Sequence, residues 1–167
     1  MTILNKLFSK HSEKTIEKKS APICAPVDGT ILPLESVQDA AFSQKTLGDG
    51  FAIEPENGEF YSPVTGKIVA CFPTMHAYGI IDETGLEILL HIGIDTVDLG
   101  GHGFTTYVKE NQTIKQGEKI ASVDLEILKQ AEKPATTMVI LTNGESCQLL
   151  KAGQKVIHNE TDILLLT

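Results

Sequence analysis

The chain contains no arginine and no tryptophan, and all fourteen of its basic residues are lysine. A lysine is a point charge without the planar fork that grips a phosphate through two parallel hydrogen bonds, so any bidentate guanidinium clamp must come from another protein. Cysteine is scarce: Cys24, Cys71 and Cys147 form neither a CxxC pair nor an even framework. Isolated thiols of this kind exclude a disulfide scaffold and suit a reducing cytosol, where they act as small structural residues. No apolar run approaches the ~20 residues a membrane span needs, and Ile163 to Leu166 is too short to count. An integral membrane protein is thereby excluded at the level of pattern.

What is present is acid. The formal charge is −8 over 167 residues, and residues 1–20 hold five lysines against two glutamates. The rest of the chain therefore sets nine lysines against twenty acidic residues. An acidic body is a poor match to nucleic acid and a good match to basic partners. A hydrophobic content of 41% with 22% charged residues is ordinary for a soluble globule, and the length suits one domain over residues 21–167. Residues 1–20 lack the basic start and apolar centre of a signal peptide and read as a flexible tail. Within them Ile3, Leu4, Leu7 and Phe8 recur at helical spacing, with Lys6 and Lys10 interleaved. Two readings stand side by side: one or two amphipathic turns lying on an anionic membrane surface, or a disordered leader that happens to hold four apolar residues.

From Ala21 onward Gly, Pro, Asn and Asp punctuate the chain every eight to twelve residues between short β-rich runs. That rhythm predicts an all-β antiparallel sandwich or barrel-sandwich hybrid. APVDGTI at 25–31 recurs as SPVTGKI at 62–68, and IKQGEKI at 114–120 recurs as LKAGQKV at 150–156, which is one kind of turn used twice. Two short surface helices are predicted: Ser36 to Lys45, opened by a loose capping box Ser36-x-x-Asp39, and Leu125 to Glu132, capped by Asp124 and stopped by Pro134.

The residues best placed for chemistry are two histidines. Residues 76–82 and 86–94 read as strands joined by a turn at Asp82 to Gly85. With Glu83 and Thr84 as the loop tip, His76 falls opposite His91, and directly opposed side chains have Cβ atoms roughly 4.5–5.5 Å apart. A three-residue loop ending at a left-handed Gly85 would instead set His76 opposite Ile92. The register that pairs the histidines is preferred. Leu86, Ile88, Leu90, Ile92 and Ile94 alternate onto one face, so His91 leaves the apolar row, and Gly93 beside it leaves room. Protonating one of two touching imidazoles disfavours protonating the other, so at neutral pH at least one is free to attack or to bind metal. Thr74, Asp39 and Asp95 are candidates to orient the rings or to form the rim.

GLEILLHIGIDTV, from Gly85 to Val97, closely resembles the phosphohistidine signature of glucose-type enzyme IIA domains of the bacterial phosphoenolpyruvate-dependent sugar phosphotransferase system. The resemblance extends through APVDGT from Ala25, GDGFAI from Gly48, PVTG from Pro63, Thr74-Met75-His76-Ala77 and Gly103-Phe104. The charged leader and the length resemble the free-standing form of the family.

The resemblance implies a phosphocarrier in the cytoplasm. The small protein HPr would give its phosphoryl group to His91, which would pass it to the IIB domain of a glucose-type permease. His76 would be the auxiliary histidine, with Thr74 hydrogen-bonded to it. Asp39 and Asp95 would flank the pocket and meet basic residues of partners. Ala40, Ala41, Phe42, Leu47, Phe72 and Tyr78 would form a shallow apolar disc around the rings. By the same resemblance no cofactor is obligatory, zinc can bind His76 and His91 with a partner's carboxylate, and sugar permeases, glycerol kinase and adenylate cyclase are candidate regulatory partners.

Three readings compete. A zinc hydrolase needs a third protein ligand, usually from a His-x-His pair, and Gly93 stands two residues beyond His91. A biotinyl or lipoyl carrier needs a lysine at a hairpin tip, where this chain has Glu83 and Thr84. A purely regulatory binding module has no need of an intact histidine pair.

Overall fold

Alternating branched and aromatic residues carry the chain into strands that pair antiparallel throughout in the computed structural model, which describes residues 21–167. In chain order they are β1 (Gly29–Pro33), β2 (Asp49–Pro55), β3 (Glu59–Tyr61), β4 (Gly66–Cys71), β5 (Ala77–Asp82), β6 (Glu87–His91), β7 (Phe104–Thr106), β8 (Thr113–Ile114), β9 (Lys119–Val123), β10 (Thr137–Leu141), β11 (Cys147–Leu149), β12 (Lys155–Val156) and β13 (Leu164–Leu166). The main sheet has eight strands in the order β12-β1-β2-β10-β6-β5-β4-β8, and a three-stranded sheet β3-β9-β7 and a β11-β13 pair accompany it. The expected all-β antiparallel fold is found. The tail over residues 1–20 lies outside the described residues.

β10 is buried at all five positions, which contrasts with the alternation of an edge strand and means that both its faces are covered. Val139 joins Phe51, Ile53, Leu90, Tyr78 and Ile80 in the main core. On the reverse face Met138 and Ile140 pack with Leu34, Val37, Phe42, Ala52 and Ile94 in a second, smaller cluster. Burial of these branched side chains, at about 25 cal/mol per Å² of apolar surface, supplies the main favourable term.

The β5–β6 hairpin departs from the preferred register. Ala77, not His76, stands opposite His91, so His76 is level with Ile92 and its carbonyl accepts from the Ile92 amide at 2.7 Å. Asp82 is the reason. Its Oδ1 accepts from the Thr84 amide and the Thr84 hydroxyl, both at 2.7 Å, and from the Leu86 amide at 3.0 Å. A carboxylate holding three donors fixes a three-residue loop, and Gly85 closes it at φ 90°.

The first predicted helix is shorter and later than Ser36 to Lys45. A 3-10 turn occupies Leu34–Ser36, and α1 covers Ala40–Ser43 with Asp39 as its cap, accepting from the Ala41 amide at 2.9 Å. Ser36 donates instead to the Pro33 carbonyl and caps nothing. The second helix, α2 (Leu125–Gln130), has the expected cap, Asp124, accepting from the Glu126 amide at 3.0 Å. The repeated KxG segments are matching turns, closed by Glu118 N–H to Lys115 O and Gln154 N–H to Lys151 O. Early and late parts of the chain are tied together: Ala25 donates to the Glu160 carbonyl and accepts from the Asn159 amide. Beside them His158, read from the sequence as a plain surface residue, stacks on Tyr61 at 4.3 Å and is held by Asp28 through Nδ1 at 2.7 Å.

Replacing Asp82 by Ala removes the acceptor that sets the β5–β6 loop. We expect a loss of about 2–4 kcal/mol in urea unfolding, with Asp82→Asn retaining part of it, since hydrogen bonds to a charged acceptor are worth about 1.5–3 kcal/mol each. A loss below about 0.5 kcal/mol in Asp82→Ala would remove the carboxylate as the determinant of register.

Candidate functional site

One row of side chains crosses five strands of the main sheet: Leu32, Ala52, Met138, His91 and Ala77, each directly opposite the next. His91 ends β6 in the middle of that row. Its small neighbour Ala77 on β5 leaves room for the ring, while the fully buried Met138 supports it from β10.

The shifted register does not separate the histidines. β5 begins only at Ala77, Met75 before it is left-handed at φ 57°, and Thr74 Oγ1 hydrogen-bonds His76 Nδ1 at 2.6 Å. His76, freed from strand alternation, reaches across with its ring edge-on to His91 at 5.0 Å between centroids and an interplanar angle of 84°. Phe42 leans on the other side of His91 at 5.0 Å, and Phe72 meets the edge of His76 at 5.7 Å. Four rings thus form one continuous series.

His91 is oriented by a backbone group. Its Nδ1 lies 2.9 Å from the carbonyl of Gly93, and a carbonyl only accepts, so the proton sits on Nδ1 and the lone pair on Nε2. Gly93 reaches back because its φ is 79°, and a Cβ there would lie 2.3 Å from Thr96 Cγ2 and 3.0 Å from the Pro134 carbonyl. Thr96 itself is buried and donates to the Ile92 carbonyl at 2.5 Å, which fixes the turn. Burial above all, and then His76, push His91 down to about 4; the Gly93 bond and the carboxylates of Asp39 and Asp95 pull the other way and lose. Burial also lowers His76. Both rings are therefore neutral near pH 7, and His91 presents an unprotonated Nε2 to any electrophile that reaches the face.

The other expected residues divide. Asp39, at the start of α1, and Asp95, left-handed at φ 55°, both stand close enough for their charge to act on His91. Ala40 and Ala41 are exposed on α1, and Leu47 and Phe72 are each 43% exposed. Phe42 is buried, so it backs His91 and does not belong to an exposed rim. Tyr78 is misplaced by the sequence reading: it stands opposite Leu90 on the core face, is fully buried, and has no place on the surface around the histidines. The missed group is the Gly93 carbonyl; Val97, 50% exposed two residues after Asp95, is a further apolar surface residue that the sequence reading did not single out. A backbone carbonyl leaves no mark in a sequence, whereas Val97 was visible as an apolar residue in the same thirteen-residue segment.

Two predictions follow the imidazoles. In a pH titration followed by NMR, the His91 ring resonances should move with a midpoint near 4, and those of His76 below the ordinary 6.5. Because both histidines titrate lower in the folded chain, the unfolded chain binds more protons below 6.5 and stability falls as the pH drops towards 4. Wild type should lose about 1–3 kcal/mol more than His91→Gln between about pH 7 and about pH 4.5. Equal losses in the two proteins would contradict a neutral, buried His91.

Known proteins share this architecture. Residues 21–147 match the family described as phosphoenolpyruvate-dependent sugar phosphotransferase system, EIIA 1. The glucose-specific EIIA component of the phosphotransferase system of Mycoplasma capricolum is 44% identical over 138 residues, which cover 81% of this chain and 90% of that protein. The glucose-specific EIICBA component of Streptococcus pneumoniae is 46% identical over 124 residues, 74% of this chain but only 17% of that longer protein. The solved structure of glucose permease IIA from Mycoplasma capricolum superposes with a TM-score of 0.81 at 41% identity, covering 87% of this chain and 96% of the other. An all-β sheet system with a neutral histidine pair on one face, and a family match across most of its length, together make this chain a member of the EIIA 1 family of the phosphoenolpyruvate-dependent sugar phosphotransferase system.

Proposed function

We propose that the protein carries phosphoryl groups for sugar uptake, accepting one on His91 Nε2 from HPr and passing it to the IIB domain of a glucose-type permease. The observation that carries this reading is the Gly93 carbonyl on His91 Nδ1, which leaves the opposite nitrogen unprotonated and turned away from its anchor. In each transfer the bond from phosphorus to the donor breaks as the bond to the acceptor forms, so the work left to the protein is positioning and charge stabilisation. This chain supplies the nucleophile and its orientation. With no arginine and two carboxylates beside His91, it supplies little positive charge. Basic groups on the docking proteins balance the transferred phosphoryl group, and His76, held by Thr74, borders the acceptor ring and steadies the phosphorylated form. Ala40, Ala41, Leu47, Phe72 and Val97 offer the apolar contacts around it.

The phosphorylated and free forms differ by a dianion at the centre of one surface. Such a change repels acidic partners and attracts basic ones, which gives a physical route to regulating sugar permeases, glycerol kinase or adenylate cyclase from the same face. The chemistry of the two imidazoles also suits zinc, through the nitrogens not engaged by Thr74 and Gly93. Among the described residues no group of three or more His, Cys, Asp or Glu side chains could hold a metal ion, so a carboxylate from a partner is needed to complete the set. The rings of His76 and His91 would hold the ion at an interface between two proteins.

The test is to incubate the protein with phosphoenolpyruvate, enzyme I and HPr and to map added phosphate by mass spectrometry under non-acidic conditions. Phosphate is expected on His91, none on His91→Ala, and normal acceptance but impaired onward transfer in His76→Ala. Label on the His91→Ala protein would overturn the assignment.

A further inference from the structure

We propose that the face bearing His91 has a second seat, a groove built on Glu54 that takes a lysine or arginine side chain of HPr as it docks to deliver its phosphoryl group. The inference rests on the phosphocarrier reading above and adds to it a contact remote from the histidines.

The sheet register places the groove. Ala52 lies in the same cross-strand row as His91, and Glu54, two residues along β2, projects from the same face. With strands about 4.8 Å apart and a rise of about 3.4 Å per residue, the Glu54 Cα lies on the order of 12 Å from that of His91. Both therefore fall inside the roughly 800 Å² that one partner contributes to a standard interface. The groove has a volume of about 280 Å³ and is lined by Leu32, Val37, Gln38 and Ile94 beside Glu54 and Thr136. Gln38 and Ile94 are the chain neighbours of Asp39 and Asp95, so the groove adjoins the carboxylates that flank His91.

Its chemistry matches one kind of occupant. Thr136 donates to Glu54 Oε2 at 2.7 Å, which holds the carboxylate in place and leaves Oε1 without a partner among the described residues. Five lysines of the described chain are spent on ion pairs, with Glu35, Asp49, Glu56, Glu59, Asp98, Glu160 and Asp162. None of them pairs with Glu54, Asp39 or Asp95. Glu56, two residues further along, has Lys155, whereas Glu54 and Asp39 form no ion pair with a described lysine and Asp95 meets only the more distant charge of Lys133, which is itself paired with Asp98. Leu32, Val37 and Ile94 suit the aliphatic stem of a long basic side chain while its head reaches Glu54. A partner that must bring positive charge to the phosphoryl group has a reason to carry more of it nearby.

The experiment measures phosphoryl transfer from phospho-HPr at increasing HPr concentration for wild type, Glu54→Lys, Glu54→Gln and Glu110→Lys. Glu110 precedes β8 at the far edge of the main sheet, so its reversal changes net charge equally without touching the groove. Glu54→Lys should raise the half-saturating HPr concentration about five- to ten-fold, with the saturated rate within about two-fold of wild type. Glu54→Gln should raise it roughly two- to three-fold, and Glu110→Lys less than about two-fold. Equal shifts in Glu54→Lys and Glu110→Lys would reduce the effect to net charge and overturn the proposal. So would a wild-type dimer in sedimentation that Glu54→Lys dissolves, because the groove would then serve a second copy of this chain. Normal phosphorylation of His91 with no dependence on Glu54 removes the groove alone, whereas a wild type that takes no phosphate from HPr removes the phosphocarrier reading and the groove with it.

Discussion

The hydrogen bond from His91 Nδ1 to the Gly93 carbonyl is the constraint on which the face depends, because it settles which nitrogen of the ring is left to react. The bond exists only while residue 93 is left-handed, and residue 93 can be left-handed only as glycine, since a Cβ would run into Thr96 and the Pro134 carbonyl. Thr96 is held in turn by the Ile92 carbonyl, and Ile94 donates to Pro134, so the turn after β6 is bound to the segment that enters β10. The same β10 places Met138 beneath the imidazole. A single tautomer is thus maintained by packing that extends well into the sheet, in the manner of a nucleophile oriented by its surroundings.

Electrostatics on this face are arranged by opposition. Burial and a neighbouring imidazole keep His91 neutral, while Asp39 and Asp95 favour its protonation and are outweighed. If the carboxylates prevailed the ring would hold a proton on both nitrogens and attack nothing. They are close enough to attract a cationic partner and too weakly coupled to the ring to disarm it.

The sequence made some of this legible and concealed the rest for definable reasons. Period-two alternation over residues 86–92 revealed which face His91 takes, although Ile94, beyond the turn at Gly93, packs in the second cluster. Asp124 was recognisable as a helix cap because a carboxylate before an apolar run meets free amides there, whereas Asp39 caps α1 in place of the expected Ser36. The hairpin register was not legible, since a two-residue and a three-residue loop fit DETG equally until the Asp82 carboxylate is seen to gather three donors. Tyr78 illustrates the same limit: one step of register and one step of alternation decide whether a tyrosine faces solvent or core, and here it faces the core. The histidine pair survived the wrong register because His76 lies just outside β5 and is steered by Thr74 and the left-handed Met75, which no periodicity encodes.

The backbone bonds between Ala25 and residues 159 and 160 have an architectural consequence. They tie the segment that leads into β1 to the turn that follows β12, at the edge of the main sheet remote from β6. Bonds between positions so far apart in the chain carry the largest loop-closure cost, so this edge of the sheet is the part that folding closes slowly, at a distance from the strands that hold the reactive ring.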